Sequence, residues 1–263
     1  MTLASSGVRG GGAPGSAAGR PATAPATVAA AAPAARGMLG KCKYFLFDLD
    51  GTLVDTTPLI IASFKHTMKT TLGLDLTDEQ IKARLGEPLS LTMEFYCRER
   101  RDEMVECYRE FNITHHDELA KPFPKVRETV AALKERGCHL AVVSSKVLST
   151  VSKGLALVGI QDFFEAVVTM EDTEEHKPNP APLLEAMRRI DAAPAVTAMV
   201  GDSPYDLQAA HNAGVLSVGV GWSQYSRAEL ERYQPDFIAA SMTDLLPLAI
   251  AALMPELPRK PAD

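Results

Sequence analysis

The chain has 263 residues, of which 46% are hydrophobic and 23% charged, so it is long enough for one globular domain with an inserted subdomain, and disorder throughout is excluded. Without the three arginines of its first forty residues, 24 basic residues remain against 33 acidic ones, about nine net negative charges, which argues against a nucleic-acid partner. We expect no membrane-spanning segment. Four cysteines without Cys-x-x-Cys spacing favour reduced thiols in a cytoplasm.

Residues 1–40 differ in composition from the rest of the chain. Alanine, glycine, proline and serine dominate this segment, and no acidic residue precedes Asp48. We therefore predict a disordered tail. The composition fits either a transit peptide or an overextension upstream of a start at Met38. A secretory signal is excluded, because the apolar stretch is mostly alanine and is broken by Pro33.

The first predicted strand, 45–47, leads directly into Asp48 and Asp50, with a glycine after them. Residues two apart in a strand point to the same side, so both carboxylates can converge on one metal and one phosphate. The same pattern occurs in plain strand-end turns and at the start of calcium loops. A calcium loop is excluded, because it needs further ligands at the positions that Thr52 and Leu59 occupy.

The region 58–121 shows helical patterns and no convincing strand. A helix opens with Thr57 as its cap and Pro58 at its first position, and a capping box at 77–80 begins a second helix. Further helical patterns cover 89–98 and 104–111. His115-His116 is the only histidine cluster, and we predict a solvated helix face there rather than a metal site.

From Pro122 onward, helices alternate with short apolar strands. This alternation predicts an α/β fold, a Rossmann-like and mainly parallel sheet with helices on both faces. Ligands bind such sheets beyond the carboxyl ends of the strands. The predicted helices are 125–136, 147–157, 180–190, 204–213 and about 242–252, and the predicted strands are 139–143, 166–169, 196–200 and 216–220.

Polar residues collect where these strands end. Asp202 and Asp206 share a helix face, and with Asp48 they could form the oxygen-rich octahedral site that Mg²⁺ prefers. The hydroxyl of Ser144 and the backbone N–H groups after it can hold phosphate oxygens. Lys177 would supply positive charge. Serine and aspartate are also ordinary helix caps, and a lone loop lysine is commonly solvated.

These residues suggest phosphoryl transfer through an aspartyl-phosphate. A carboxylate that approaches a phosphate is repelled by roughly 4 kcal/mol per charge pair at 4 Å, and a divalent cation reverses the sign. Asp48 could then attack phosphorus. Asp50 could protonate the leaving oxygen and afterwards accept a proton from the hydrolytic water.

Four motifs occur in an order that resembles the haloacid-dehalogenase superfamily of phosphohydrolases, over about residues 43–245. The resemblance implies Asp48 as nucleophile, Asp50 as acid/base, and Mg²⁺ as cofactor; Asp50 also argues for a phosphatase, since true dehalogenases lack it. It assigns phosphate binding to Ser144 and Lys177 and metal binding to Asp202, with Asp206 as a second acidic contact. We add Ser145 to the predicted phosphate site and Asp48 and Asp50 to the predicted metal ligands. The motifs are Asp48-x-Asp50-Gly51-Thr52, Ser144, Lys177-Pro178 and Gly201-Asp202-Ser203-x-x-Asp206.

Asp48 and Ser144 are 96 residues apart, whereas a strand-helix-strand unit needs only about 30. The surplus matches the all-helical cap that this superfamily inserts after its first motif. We therefore predict a cap at 58–121 and a core formed by 41–57 and 122–263. Such a cap closes over the site and selects the substrate.

Within the superfamily, the chain is most similar to PpaX-type inorganic pyrophosphatases and next to phosphoglycolate phosphatases. The resemblance implies hydrolysis of pyrophosphate, with phosphoglycolate or another small phosphomonoester as the alternative and a phosphomutase as a less favoured one. Arg84 and Arg109 could be cationic cap residues or solvated helix arginines. The segments that carry the resemblance include Leu59-Ile60-Ile61-Ala62-Ser63, Gly86-x-Pro88-Leu89, Tyr108-Arg109-x-Phe111-Asn112 and Gly219-Val220-x-Trp222.

Overall fold

The computed structural model describes residues 39–85 and 87–250. The predicted disordered tail therefore falls almost wholly outside the described residues. Its last two positions, Leu39 and Gly40, are described and belong to the folded part. The Gly40 N–H donates to the carbonyl of Pro247 at 2.9 Å, and Leu39 packs against the core.

Six strands form one parallel sheet, in which β5 (Ala166–Val168), β4 (His139–Val143), β1 (Tyr44–Phe47), β6 (Thr197–Gly201), β7 (Leu216–Val220) and β8 (Phe237–Ala239) lie side by side in this order. Because β2 (Val54–Asp55) and β3 (Lys121–Pro122) lie outside this sheet, its strands follow the doubly wound order, in which the direction of winding reverses between β1 and β6. The predicted mainly parallel sheet is confirmed.

Nine α-helices lie within the described ranges, and the first eight are at positions close to those predicted. Thr77 and Gln80 form the predicted capping box, and the first helix begins at Thr57, with Thr56 in the cap position. The helices are α1 (Thr57–Leu72), α2 (Asp78–Lys82), α3 (Leu89–Tyr96), α4 (Arg101–Leu119), α5 (Val126–Glu135), α6 (Leu148–Val158), α7 (Ala181–Arg189), α8 (Pro204–Ala213) and α9 (Arg227–Glu231).

The sheet is buried on both faces, because alternate residues of β1, β4 and β6 join different clusters. Phe45 and Phe47 pack with side chains of α5 and α6. Leu46 lies on the opposite face with side chains of α7 and α8. Helices on both faces are thus confirmed. This covering leaves the ends of the strands as the open edges where polar side chains can gather.

The helical region, α1 to α4, has a small core of its own. Phe64 and Met68 of α1 pack against Met104 and Tyr108 of α4. Strands β2 and β3, where the chain leaves and re-enters the sheet domain, pair as a short antiparallel ribbon. The expectation of no strand in 58–121 is therefore wrong at Lys121, because the two crossing segments run side by side and satisfy each other's backbone groups.

The last predicted helix, 242–252, is wrong over its described part. A short 3-10 helix spans Met242–Leu245, and the chain then runs beside Cys42, whose carbonyl accepts from the Ile250 N–H at 3.0 Å. Pro247 lacks the N–H that a continuing helix needs. Helix α9 and strand β8 were not predicted, since both are too short for a clear periodicity.

The predicted solvated face at His115-His116 is wrong for His116. Its side chain is 1% exposed, and its Nδ1 lies 2.9 Å from the Asp117 carboxylate. Polar residues surround His116 in the sequence, so the local pattern did not indicate that this side of α4 faces the interior. Among the helices that the structure describes, none combines the length and apolar character needed to cross a bilayer.

Candidate active site

Three buried carboxylates meet at the carboxyl edge of the sheet, at the point where its winding reverses. Asp48 follows β1, Asp202 follows β6, and Asp206 lies in the first turn of α8. One carboxylate oxygen from each lies within 4.8 Å of the others. Parallel neighbouring strands bring Asp48 and Asp202 together, as the positions of the two motifs predicted.

Lys177 reaches this cluster from the loop before α7 and is almost fully buried. Its Nζ donates to Asp48 Oδ1 and Asp206 Oδ1, each at 2.7 Å, and to the carbonyl of Val143 at 3.0 Å. All three ammonium donors therefore have acceptors. The lysine holds one oxygen of Asp48 in place and is not a solvated loop residue.

Both oxygens of Asp206 are already engaged. Oδ1 accepts from Lys177, while Oδ2 accepts from the hydroxyl of Ser203 at 2.6 Å and from its N–H at 3.1 Å. The Ser203 hydroxyl in turn accepts from the Asp206 N–H, which completes a capping box at the start of α8. Asp206 is thus placed to orient Lys177, and Asp48 and Asp202 are the carboxylates better able to bind a metal.

The charge balance of the cluster fits a hard divalent cation. Burial raises the pKa of Asp48 to about 7 against the opposing effect of Lys177, and burial together with Asp206 and Asp48 raises the pKa of Asp202 well above its ordinary value. Burial alone would lower the pKa of Lys177, but Asp206 and Asp48 outweigh it and raise that pKa. Three buried acids thus face one lysine, and Mg²⁺ prefers such oxygen ligands.

Two glycines let the backbone pass close to these acids. Gly51 has φ of +73°, and a Cβ there would collide with the Asp202 carboxylate. A Cβ at Gly201 would collide with Asp206. The two glycines therefore let the backbone pass close to the acidic cluster, and Gly51 also adopts the left-handed conformation that its turn requires.

The Asp50 carboxylate does not belong to the three-carboxylate cluster and is held by other side chains. Its Oδ1 accepts from Thr56 Oγ1 at 2.6 Å and from Lys146 Nζ at 2.7 Å. Strand β1 ends at Phe47, so Asp48 and Asp50 both lie beyond it, and Asp50 forms an isolated β-bridge with Val54. Lys146 is a further cation of this site, and its place directly after two strand-end serines is the sequence signal for it.

The two serines after β4 line the same cavity, with Ser144 buried and Ser145 exposed. The Ser144 hydroxyl accepts from the Lys146 N–H at 3.2 Å. The Leu148 N–H, at the start of α6, donates to the Glu171 carboxylate at 2.8 Å. Two of the backbone N–H groups that we expected to hold phosphate are therefore already in use.

A cavity of about 240 Å³ separates the strand ends from the helical region. The two sides are tied together at its rim, where the Tyr225 hydroxyl donates to the Leu85 carbonyl at 2.6 Å. This volume suits a small ligand. The core side contributes Asp48, Asp50, Ser144, Ser145, Lys146, Lys177, Asp202 and Asp206, and the helical side contributes, among others, Ile60, Phe64, Arg84, Tyr108, Arg109 and Asn112.

The doubly wound sheet, with a lysine-bound aspartate at the point where its winding reverses, is the arrangement expected from the four motifs. The family model for the haloacid dehalogenase-like hydrolases matches residues 45–220, and the chain belongs to this family. That match confirms the resemblance stated for the four motifs. The chain is thus a hydrolase built on this fold.

Curated relatives and solved structures agree with this membership. The chain is 44% identical over 201 residues to pyrophosphatase PpaX of Anoxybacillus flavithermus, covering 76% of this chain and 94% of that one. It is 42% identical to the PpaX of Bacillus mycoides, covering 79% and 97%. A predicted phosphoglycolate phosphatase from Haemophilus somnus matches with a TM-score of 0.69 and 28% identity, covering 78% and 97%. A haloacid dehalogenase-like hydrolase from Streptococcus pneumoniae matches with a TM-score of 0.70 and 27% identity, covering 78% and 97%.

Proposed function

We propose that the chain is a magnesium-dependent phosphohydrolase that acts through an aspartyl-phosphate and prefers inorganic pyrophosphate. The observation that carries the proposal is the position of Asp48. It is buried at the floor of the cavity, oriented by Lys177 and adjacent to Asp202. Asp48 and Asp202 would hold Mg²⁺, which when bound neutralises the carboxylates and the incoming phosphate.

The residues of the chain account for each proton and bond. An Asp48 oxygen forms a bond to phosphorus while the bond to the leaving oxygen breaks, and the Asp50 carboxyl gives that oxygen its proton. Asp50, now a carboxylate, accepts a proton from the water that attacks the aspartyl-phosphate. Phosphate leaves and the Asp48 carboxylate is restored. Thr56 and Lys146 keep Asp50 at the cavity wall in both steps.

Pyrophosphate is the preferred substrate because two kinds of support coincide. The curated relatives named above are pyrophosphatases and align over nearly their whole length. The cavity is small and is lined by Lys146, Lys177 and two arginines. We propose the helical region as the cap that closes this cavity. Phosphoglycolate, supported by one solved neighbour, is the second candidate, and phosphomutase activity is less favoured.

A cytoplasmic location is part of the proposal. It is supported by the four free cysteines, two of which, Cys42 and Cys138, are buried close together without a disulfide. Such unpaired thiols fit a reducing compartment.

Steady-state rates on pyrophosphate, 2-phosphoglycolate and hexose phosphates, each with and without Mg²⁺, test the proposal. We expect pyrophosphate to have the highest kcat/KM and Asp48→Asn to lower kcat by at least about 10³-fold, since it removes the nucleophile. A rate on pyrophosphate about tenfold or more below that on phosphoglycolate would refute the substrate. Isomerisation of a hexose phosphate without phosphate release would refute hydrolysis.

A further inference from the structure

Arg109 stands out among the cations of the cavity because no acid neutralises it in the part of the chain that the structure describes. It lies on α4, lines the cavity from the helical side and is exposed. Its one side-chain hydrogen bond is a weak contact from Nη2 to Met170 Sδ at 3.9 Å. Within the described ranges, no carboxylate oxygen lies within 4.0 Å of its guanidinium.

Arg84 lines the same cavity but is already committed. Its Nη1 donates to the Glu87 carboxylate at 2.9 Å, and its guanidinium carbon lies 3.3 Å from the centre of the Phe95 ring. Its charge is therefore balanced and its plane is fixed. The sequence offered these two arginines as equal candidates, and the structure separates them.

The core cations are likewise assigned to the reaction centre. Lys177 is bound to Asp48 and Asp206, and Lys146 to Asp50, so both lie where the transferred phosphoryl group would sit. Any second anionic group of the substrate must extend away from that floor toward the helical side. Arg109 is the cavity-lining cation there that keeps its donors for a ligand.

We propose that Arg109 is a specificity-determining residue that binds the second anionic group of the substrate. This inference rests on the proposed function, in which that group is the leaving phosphate of pyrophosphate. Guanidinium is suited to the task, because its planar fork of donors can bind two phosphate oxygens at once. The substrate class is thus a small phosphate compound with a second negative charge.

Arg109→Gln, Arg109→Lys and a control variant test this on the full chain. Arg101→Gln is the matched control, because Arg101 lies on the same helix, does not line the cavity and pairs only at the surface with Asp102 and Glu94. Each variant is assayed with Mg²⁺ on pyrophosphate, on 2-phosphoglycolate and on p-nitrophenyl phosphate, which carries no second anionic group. Circular dichroism melts confirm that each variant is folded.

We expect Arg109→Gln to lower kcat/KM on pyrophosphate by about 10- to 100-fold, the value of one charge-assisted contact, with little change on p-nitrophenyl phosphate. Arg109→Lys should fall between, and Arg101→Gln should match the parent on both substrates. Equal losses on both substrates, or an unchanged rate on pyrophosphate, would overturn the inference.

The same data separate this inference from the proposed function. If the parent enzyme hydrolyses phosphoglycolate rather than pyrophosphate and Arg109→Gln selectively lowers that rate, the proposed substrate fails and the role of Arg109 stands. If the parent prefers pyrophosphate and Arg109→Gln leaves that preference intact, the role of Arg109 fails and the proposed function stands.

Discussion

Replacing Lys177 with methionine is the sharpest test of how the site is held together. Methionine keeps the length and apolar stem of the side chain but removes the ammonium group. Asp48 and Asp206, 7% and 2% exposed, then lose their shared cation. The carbonyl of Val143 loses a donor as well.

The expected cost follows from the distances. At 2.7 Å, each ion pair carries roughly 6 kcal/mol of Coulomb attraction at an effective dielectric of 20, most of it offset by the desolvation of the charges. Removing one partner of a buried pair leaves the other charge uncompensated and costs about 3–5 kcal/mol. That loss is a large part of the about 5–15 kcal/mol by which a domain of this kind is stable.

Urea unfolding followed by circular dichroism at neutral pH measures the effect, with Lys65→Met as the control. Lys65 pairs with Asp78 at 2.6 Å, nearly the same distance, but both side chains are more than 40% exposed. We expect a large drop in the free energy of unfolding for Lys177→Met and almost none for Lys65→Met, because water screens the exposed pair. Similar unfolding midpoints for the two variants would refute the assignment of Lys177 as a buried structural cation.

Three further outcomes are expected. Gly51→Ala should lower the urea midpoint and the activity far more than Gly73→Ala. Gly73 has a similar φ but open space around an added Cβ, so its substitution costs only about 1–2 kcal/mol of backbone strain. Equal effects of the two substitutions would contradict the close approach of Gly51 to Asp202. Asp50→Asn should lower kcat by about 10²–10⁴-fold and let labelled phosphoprotein accumulate in rapid-quench experiments. If turnover slows and no phosphoprotein is detected, Asp50 does not act in the second step. Chelation should stop turnover, and Mg²⁺ should raise the thermal midpoint of the parent but not of Asp202→Asn; an equal rise in both would place the metal elsewhere.

The sheet and the edge that carries the site were predictable from local patterns. Strand 139–143 and strand 216–220 have the predicted bounds, because short apolar runs between helices leave few alternatives in a parallel sheet. Asp48 and Asp202 were therefore expected at the same edge of the sheet, and the pairing of β1 with β6 brings them together there. Functional residues that directly follow strands can therefore be predicted from the sequence.

Contacts that depend on packing between distant segments could not be predicted in this way. The pairing of Lys146 with Asp50 spans 96 residues, and no local pattern encodes it. The burial of His116 depends on which side of α4 faces its neighbours, a choice that its polar sequence neighbours hide. Arg84 pairs with Glu87, whereas Arg109 pairs with no carboxylate among the described residues, and this difference likewise depends on how the helices pack.

This division also separates the reaction from the choice of substrate. Asp48 and Asp202 follow neighbouring strands of the sheet, and Lys177 reaches them from the loop before α7, so the whole of this reacting centre lies outside the helical region. The opposite wall of the cavity is built from α1 to α4, and its side chains can change without moving that centre. Similarity in the motifs therefore carries the hydrolase chemistry, whereas we assign the proposed preference for pyrophosphate to the helical wall, where Arg109 is the residue to change first.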